Sequence, residues 1–435
     1  MTMLSALMKS DHWEHVKTRW DNKPMTLGLD RVVTVLKQLE KTLMREIQRP
    51  EAKVITVGGT NGKGSTCAML EYILSAAGYR VACYTSPHLL SFRERIRIEQ
   101  TPSSDKDLNY AFDLVMRCDP DIILTPFEAE TLAAFVLFSK LPLDVWVLEI
   151  GLGGRLDAVN VIDADCSILT CVDIDHAAIL GPDRESIGFE KAHIFRAGRP
   201  AICVDPIPPQ SVVKYAEAIG ADLWLFGRDF NYSGDRQQWS FAGRHSRRNS
   251  LAYPALRGAN QLLNASGALA ALDALRGELA VPQQAVRQGL SLVDVPGRFQ
   301  VLSGRPVVVL DVAHNPHAAA HLAANLDQMG FFPYTYGVFG MLADKDIAAV
   351  IGHLKSRIDH WICVDLSGPR AATGQALAEL LRASGVTDDA DHSVTISASP
   401  QIGLGIAKSR ANENDRIIVF GSHLTVADVL SSQLA

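Results

Sequence analysis

From residue 53 onward, short apolar runs alternate with amphipathic stretches. KVITV (53–57) is a continuous apolar run of strand length, and the stripe Met69, Leu70, Ile73, Leu74 and Ala77 behind it has helical spacing. RVACY (80–84) and DIIL (121–124) predict further strands, followed by a helix over 128–139 and strands at DVWVLEI (144–150) and CSILTCVD (166–173). Apolar strands separated by helices predict a parallel sheet covered on both faces. Residues 226–254 are more polar, carry Trp, Tyr and Phe in short alternations, and predict a hairpin excursion. Helical spacing returns at 259–276 and 283–292.

VDVPGRF (293–299) sets a Pro-Gly after a helix and marks a boundary. The alternation then restarts: PVVVLDV, a helix from about 317, YTYGVFG, a helix after Asp346, HWICVDL, two more helices and RIIVFG. The expected architecture is α/β throughout, with a large parallel-sheet domain over 1–296 and a smaller Rossmann-like α/β domain over 297–435. A cleft between the two is expected.

Composition narrows the function classes. The chain has 435 residues, 47% hydrophobic and 21% charged, which is ordinary globular usage. A formal net charge of -6 argues against a general nucleic-acid or membrane-surface binder, yet leaves room for anion sites where cations concentrate. Seven scattered cysteines, without a CxxC spacing and set in apolar runs, suit reduced thiols of a cytoplasmic protein. The opening MTMLSALMKSDHWEH lacks a signal-peptide layout, and no run reaches ~18 apolar residues, so no membrane span is expected.

VGGTNGKGST (57–66) lies between a predicted strand and a predicted helix. Glycines let successive backbone N–H groups turn inward toward phosphate oxygens, and Lys63 and the helix N-terminus add positive charge. The spacing GxxxxGK[ST] is not met, since Val57 stands at the first glycine position and Gly64 separates Lys63 from Ser65. The plainer alternative is a glycine-rich turn with an incidental lysine, but strand, loop, lysine and helix occur in the order phosphate binding requires. The first domain is thus expected to be a P-loop ATPase domain.

Glu149 ends the apolar strand DVWVLEI, where open α/β sheets bind ligands, and is a natural magnesium ligand beside a phosphate loop. The glycines of GLGG after it leave space for a ligand. DIDHAAILGPDRESIGFEKAHIF (173–195) follows another apolar strand and holds His176 and Lys191. On residue type alone, a lone histidine such as His176 is more often structural than metal-bound. Phe127 in TPFEAET (125–131) can stack on a flat ring or sit in the core at the head of a helix. DVAHNP is a strand-to-helix turn with N-capping groups, which does not preclude a further role.

The loop GTNGKGS resembles the ATP-dependent amide-bond ligase superfamily that includes the Mur ligases, and within it the folylpolyglutamate synthase/dihydrofolate synthase family. The resemblance runs from LGLDRV (27–32) to VFGSHLTV (419–426) and takes in TSPHL (85–89), GMLADKD (340–346) and SGPRAAT (367–373). It implies a bifunctional bacterial-type ligase that adds L-glutamate to dihydropteroate and to the glutamate tail of reduced folates. ATP is then a co-substrate, an acyl phosphate the intermediate, and Mg2+ occupies two sites.

Carried over residue by residue, the resemblance implies an ATP site of Thr60, Asn61, Gly62, Lys63, Gly64, Ser65, Asn264, Arg298 and Asp311. Asn264 would lie near adenine, Arg298 suits the β- and γ-phosphates, and Asp311 suits the ribose hydroxyls. Ser86 and Glu149 would hold the first Mg2+, with Ser65 a weaker candidate. His176 and a carbamylated Lys191 would hold the second. A carbamate requires a partly neutral amine, which burial can supply. His193 stands where the family usually has glycine. Lys63, Lys191 and His314 would be catalytic. Leu27, Gly28, Thr125, Pro126, Phe127, Glu128, Leu156, Asp157 and Ala158 would bind the folate, and Pro126 replaces a frequent aromatic. Lys345 and Arg370 read as solvated charges. A monomer without nucleic-acid or membrane partners is expected.

Three other readings stay open. A monofunctional folylpolyglutamate synthase would share these motifs. A Mur-type enzyme using a UDP-sugar peptide carries an additional N-terminal domain, whereas only about 50 residues precede the phosphate loop here. A nucleotide switch or kinase has no need of the His176–Lys191 pair or of Arg298 and His314.

Overall fold

The computed structural model describes residues 12–21, 23, 26–235, 237–258, 260–389 and 391–434. The first eleven residues, which carry most of the signal-peptide reading, lie outside the described residues, as does residue 259, the expected start of a helix. The described residues divide into two compact units, one within 12–255 and 261–294, the other within 256–260 and 295–434.

In the larger unit, α1 (His12–Asp21) and α2 (Asp30–Leu43) precede β1 (Lys53–Gly58), α3 (Lys63–Ala76) and β2 (Val81–Tyr84). The hairpin β3 (Ile96–Ile98) and β4 (Thr101–Pro102) leads to α4 (Asp105–Cys118), α5 (Pro126–Ser139) and β5 (Val145–Glu149). Then come β6 (Cys166–Leu169), α6 (Ala177–Leu180), α7 (Arg184–Ala192), β7 (Pro200–Cys203), α8 (Gln210–Ile219) and β8 (Asp222–Leu225). The eight strands form one sheet in the order β4-β3-β2-β5-β1-β6-β7-β8. A three-stranded antiparallel sheet of β9 (Asn231–Gly234), β10 (Trp239–Ala242) and β11 (Arg247–Leu251) makes up the polar excursion, before α9 (Asn260–Ala274) and α10 (Gln283–Leu292).

The apolar runs become strands because the sheet is covered on both faces. Val54, Ile55 and Val57 of β1 and Val145, Val147 and Leu148 of β5 are fully buried, each burial being worth about 1.5–3 kcal/mol. α5 is buried on all sides from Glu128 to Phe138, and it is started by a capping box in which Thr125 and Glu128 bond each other's backbone N–H, with Pro126 in its first turn.

Three expectations need correction. DIIL (121–124) forms no strand: Ile122 has φ +52°, Ile123 is 43% exposed, and the amides of Ile123 and Leu124 donate to the Asp119 carboxylate at 2.8 and 3.2 Å. Asp119 takes the donors that a neighbouring strand would have taken. The sheet is not wholly parallel, because β3 and β4 add an antiparallel edge to β2. And β6 stops at Leu169, since residues 170–173 turn across to the loop after β1.

The smaller unit holds β12 (Gln300–Leu302), β13 (Val307–Asp311), α11 (Pro316–Gln328), β14 (Thr335–Phe339), α12 (Ile347–Leu354) and β15 (His360–Val364). It continues with α13 (Gly374–Ala383), β16 (Ser393–Ser397), α14 (Pro400–Arg410), β17 (Arg416–Phe420) and α15 (His423–Leu434). Its sheet order is β12-β13-β17-β14-β15-β16, parallel except for β12, around a core that includes Val309, Phe339, Trp361 and Phe420. Among the described residues, no helix is long and apolar enough to cross a membrane. All seven thiols are free, and Cys171 alone is not fully buried.

Candidate active site

The loop between β1 and α3 is fastened by side chains and backbone from the segment after β6. The Thr60 amide donates to the Cys171 carbonyl at 2.8 Å, and the Thr60 hydroxyl exchanges bonds with the backbone of Asp173 at 3.0 and 3.1 Å. Thr170 Oγ1 donates to the carbonyls of Gly58 and Asn61 at 3.1 and 2.7 Å. A Cβ at Gly59, which has φ +139°, would lie 1.9 Å from Thr170 Oγ1. This is why the loop has glycine there.

Gly62 caps α3 at φ +89°. A Cβ on it would come within 2.5 Å of Asn264 Oδ1, so Asn264, from α9, stands against the loop. Asn264 is itself held by a 3.0 Å bond to Gln261 Oε1. Thr60, Asn61, Gly62, Lys63, Gly64, Ser65 and Asn264 are therefore gathered at one helix N-terminus, whose dipole favours an anion.

Two cations meet the same loop. Lys63 Nζ donates to the Gly59 and Thr60 carbonyls at 3.0 and 3.2 Å. Lys191 Nζ, from α7, donates to the Gly59 carbonyl at 3.1 Å and is only 5% exposed. Burial, with the neighbouring Lys63 charge, pushes the Lys191 ammonium down to about 7.

Glu149, 3% exposed, ends β5 directly beside Val57 of β1. Its Oε2 accepts the Ser86 amide at 3.0 Å, so the loop after β2 and the end of β5 are joined. His176 begins α6 with φ +52°, and its half-exposed ring lies 4.0 Å from Asp175. Its segment is anchored by Asp205, which accepts from the Val172 amide and from Arg184, both at 2.8 Å.

The segments expected to bind a flat acceptor also converge. Arg31, just after Leu27 and Gly28, forks onto Glu128 at 2.6 and 3.2 Å, while Glu128 Oε2 accepts the Thr125 amide at 2.7 Å. The Phe127 ring lies over Gly151, where a Cβ would come within 2.4 Å. Asp157 is buried between Leu156 and Ala158; its oxygens accept the amides of Leu152 and Val159 at 2.8 and 3.0 Å. Burial pushes its carboxyl up to about 6 despite those bonds. Asp157 thus holds the GLGG loop in shape.

In the smaller unit, Asp311 ends β13 and accepts the amides of Phe299 and Ala313 at 2.9 and 2.8 Å. Burial raises its carboxyl to about 6, opposed by the backbone bond from Ala313 and by the Arg298 charge. His314 Nδ1 faces the Val312 carbonyl at 2.8 Å. Arg370 pairs with Asp344 at 2.6 Å on the surface. Sequence reading did not single out Thr170 or Cys171, and reached Arg31 only as part of the segment LGLDRV (27–32). All three act across more than ninety residues, and Cys171 Sγ accepts the Asn61 amide at 3.3 Å.

Comparison with known proteins places this geometry in a family. Residues 297–423 match the family described as Mur ligase, glutamate ligase domain. The chain is 42% identical over 409 residues to the dihydrofolate synthase/folylpolyglutamate synthase of Escherichia coli (strain K12), covering 94% of this chain and 92% of the relative. The structure of E. coli FolC in complex with DHPP and ADP is similar with a TM-score of 0.88 at 39% identity, covering 97% of each chain. A bifunctional folylpolyglutamate synthase/dihydrofolate synthase with Mn, AMPPNP and L-glutamate bound is similar with a TM-score of 0.87 at 39% identity, covering 98% of this chain and 99% of that one. This chain belongs to the bifunctional dihydrofolate synthase/folylpolyglutamate synthase family.

Proposed function

We propose that this protein is an ATP-dependent carboxylate–amine ligase that joins L-glutamate to dihydropteroate and to the glutamate tail of reduced folates. The observation that carries the reading is the meeting of Lys63 and Lys191 on the Gly59 carbonyl, at the N-terminus of α3. Lys63 and the N-terminus of α3 offer positive charge to a triphosphate in the loop, and Lys191 is buried at the same carbonyl, where its amine is partly neutral. The relatives bound to ADP and DHPP, and to AMPPNP, Mn and L-glutamate, support the same substrates here.

The chemistry follows from the leaving group. A carboxylate and an amine do not condense in water, because hydroxide leaves poorly. Transfer of the ATP γ-phosphoryl group to the acceptor carboxylate gives an acyl phosphate, the glutamate amine attacks it, and the tetrahedral intermediate collapses with loss of phosphate. Lys63 and the α3 N-terminus offset charge on the transferring group. The loop with Asn264 binds the nucleotide, with Arg298 on its β- and γ-phosphates and Asp311 on the ribose, and His314 takes part in catalysis. Leu27, Gly28, Thr125–Glu128 and Leu156–Ala158 form the acceptor site. Residues 1–296 then supply the ATP and folate sites, and 297–435 the glutamate-ligase domain.

The donors fit a hard divalent cation. Such an ion takes oxygen ligands and keeps water and phosphate oxygens among them. The buried Glu149 carboxylate, whose Oε2 accepts the Ser86 amide, is one such donor, and the Ser86 hydroxyl would be another. Among the described residues, no three His, Cys, Asp or Glu groups cluster into an all-protein cage. Glu149 beside Ser86 suits an ion that keeps water and phosphate oxygens among its ligands. Ser86 and Glu149, with Ser65 nearby in sequence to Lys63, would hold one Mg2+; His176 and Lys191, as its carbamate, would hold a second. When bound, these ions neutralise charge on the phosphoryl oxygens. A monomer in the cytoplasm, with its thiols reduced, completes the reading.

Incubation with ATP, dihydropteroate and glutamate tests it: ADP, phosphate and dihydrofolate should appear together. Release of ADP that needs neither the carboxylate nor the amine overturns the ligase reading. Offering tetrahydrofolate in place of dihydropteroate reports the second activity separately.

A further inference from the structure

We propose that Arg97 is a positioning residue that locks the Ser86 loop to the phosphate-loop helix through Glu71. The inference rests on the ligase reading above and adds to it a residue outside the nucleotide, metal and acceptor sets.

Arg97 lies on β3, in the antiparallel edge that the sequence pattern did not predict. Its guanidinium turns inward and forks onto Glu71 of α3, with Nε 3.0 and 3.2 Å from the two oxygens and Nη2 2.8 Å from Oε2. Glu71 is 1% exposed. Nη1 donates to Thr85 Oγ1 at 3.0 Å and to the Glu94 carbonyl at 2.7 Å, and Nη2 lies 3.2 Å from Cys83 Sγ. One planar group thus ties together α3, the end of β2 and the start of the Ser86 loop.

The rest of that loop is held by the same short segment. The Thr85 amide donates to the Arg95 carbonyl at 2.9 Å, and the Glu94 carboxylate accepts the amides of Leu89, Leu90 and Ser91 at 2.7 to 2.9 Å. Ser86 follows Thr85 directly, and its amide is bonded to Glu149. Glu71 lies about two turns along α3 from Lys63. The Glu71–Arg97 pair therefore sets the distance between the loop bearing Ser86 and the helix bearing Lys63. A core brace alone needs the fork to Glu71; the added bonds to Thr85 and Glu94 direct the restraint at the loop.

Three variants of the full chain test this. T85V removes only the hydroxyl that Arg97 reaches. R97K keeps a charge for Glu71 but cannot fork to Thr85 and Glu94 at once. E71M/R97M replaces the pair by apolar side chains, a change that buried ion pairs often tolerate. The readouts are the melting temperature, Mn2+ affinity in the presence of ADP by electron paramagnetic resonance, and kcat and KM with dihydropteroate. T85V should melt as the parent does and R97K lower, since lysine cannot reproduce the fork onto buried Glu71; both should stay folded, bind Mn2+ about tenfold more weakly and lose about tenfold in kcat, as should E71M/R97M. KM for dihydropteroate should change less than about twofold. Wild-type Mn2+ affinity and kcat in folded T85V and R97K overturn the proposal whatever E71M/R97M does, because the pair is then only a core brace. A parent protein that forms no dihydrofolate and binds no Mn2+ with ADP instead overturns the ligase reading on which the proposal stands.

Discussion

Lys63 and Lys191 donate to one oxygen, the Gly59 carbonyl, at 3.0 and 3.1 Å. Lys191 is buried, and its ammonium is driven down by that burial and by the Lys63 charge. The pair sets a lysine from α3 and a lysine from α7 side by side at the N-terminus of α3.

It follows that K63M should weaken ADP binding and lower kcat by about 10²–10³, the usual cost of removing one donor aimed at developing charge. Calorimetric titration with ADP and steady-state assays check it. Parent-like ADP affinity in K63M would contradict the loop's assigned role.

Glu149 is buried and bonded to the Ser86 amide, so its loss removes a carboxylate from the C-terminal end of an interior strand while leaving the loop glycines in place. E149A should bind ADP and dihydropteroate within a few-fold of the parent, yet turn over at least about 10³ times more slowly. The lost hydrogen bond should lower stability by about 1–3 kcal/mol. Turnover within tenfold of the parent would remove Glu149 from the metal site.

Asp157 gives a pH dependence. Its carboxyl is raised from 3.8 to about 6 by burial, so the folded protein holds this proton more tightly than the unfolded chain does. The resulting stabilisation is fully present below pH 3.8 and is lost as pH rises through about 6. In D157N that loss is absent. Relative to D157N, the parent should therefore lose up to about 3 kcal/mol between pH 4 and pH 7, at about 1.4 kcal/mol per pH unit. Urea denaturation of both proteins across this range measures it; parallel curves would show that Asp157 does not titrate as described.

Arg31 and Glu128 join the two segments assigned to the acceptor, 97 residues apart in sequence. R31M should raise KM for dihydropteroate by about tenfold or more, equivalent to about 1.4 kcal/mol, and leave KM for ATP unchanged. A parallel rise in both constants would indicate general loosening of the unit.

Strand and helix identity was legible wherever a run was long and strongly patterned. β1, β5, β13 and β17 are dominated by apolar runs, and the C-terminal half of α5 from Leu132 to Phe138 is wholly apolar. DIIL failed because four apolar residues do not distinguish a strand from a turn whose amides a nearby Asp119 can accept. The hairpin β3–β4 is too short for alternation to register, so the inward course of Arg97 was hidden with it.

By itself the sequence marked residues suited to phosphate, metal and acceptor chemistry, the phosphate loop and Glu149 through the local order of glycine, lysine and a strand-ending acid, the others through the family resemblance. Only the tertiary structure decided which of them meet. Lys191 reaches Gly59 across 132 residues, Arg97 reaches Glu71 across 26, and Arg31 reaches Glu128 across 97. Periodicity is a property of neighbours along the chain, whereas these contacts depend on the order and register in which strands close the sheet.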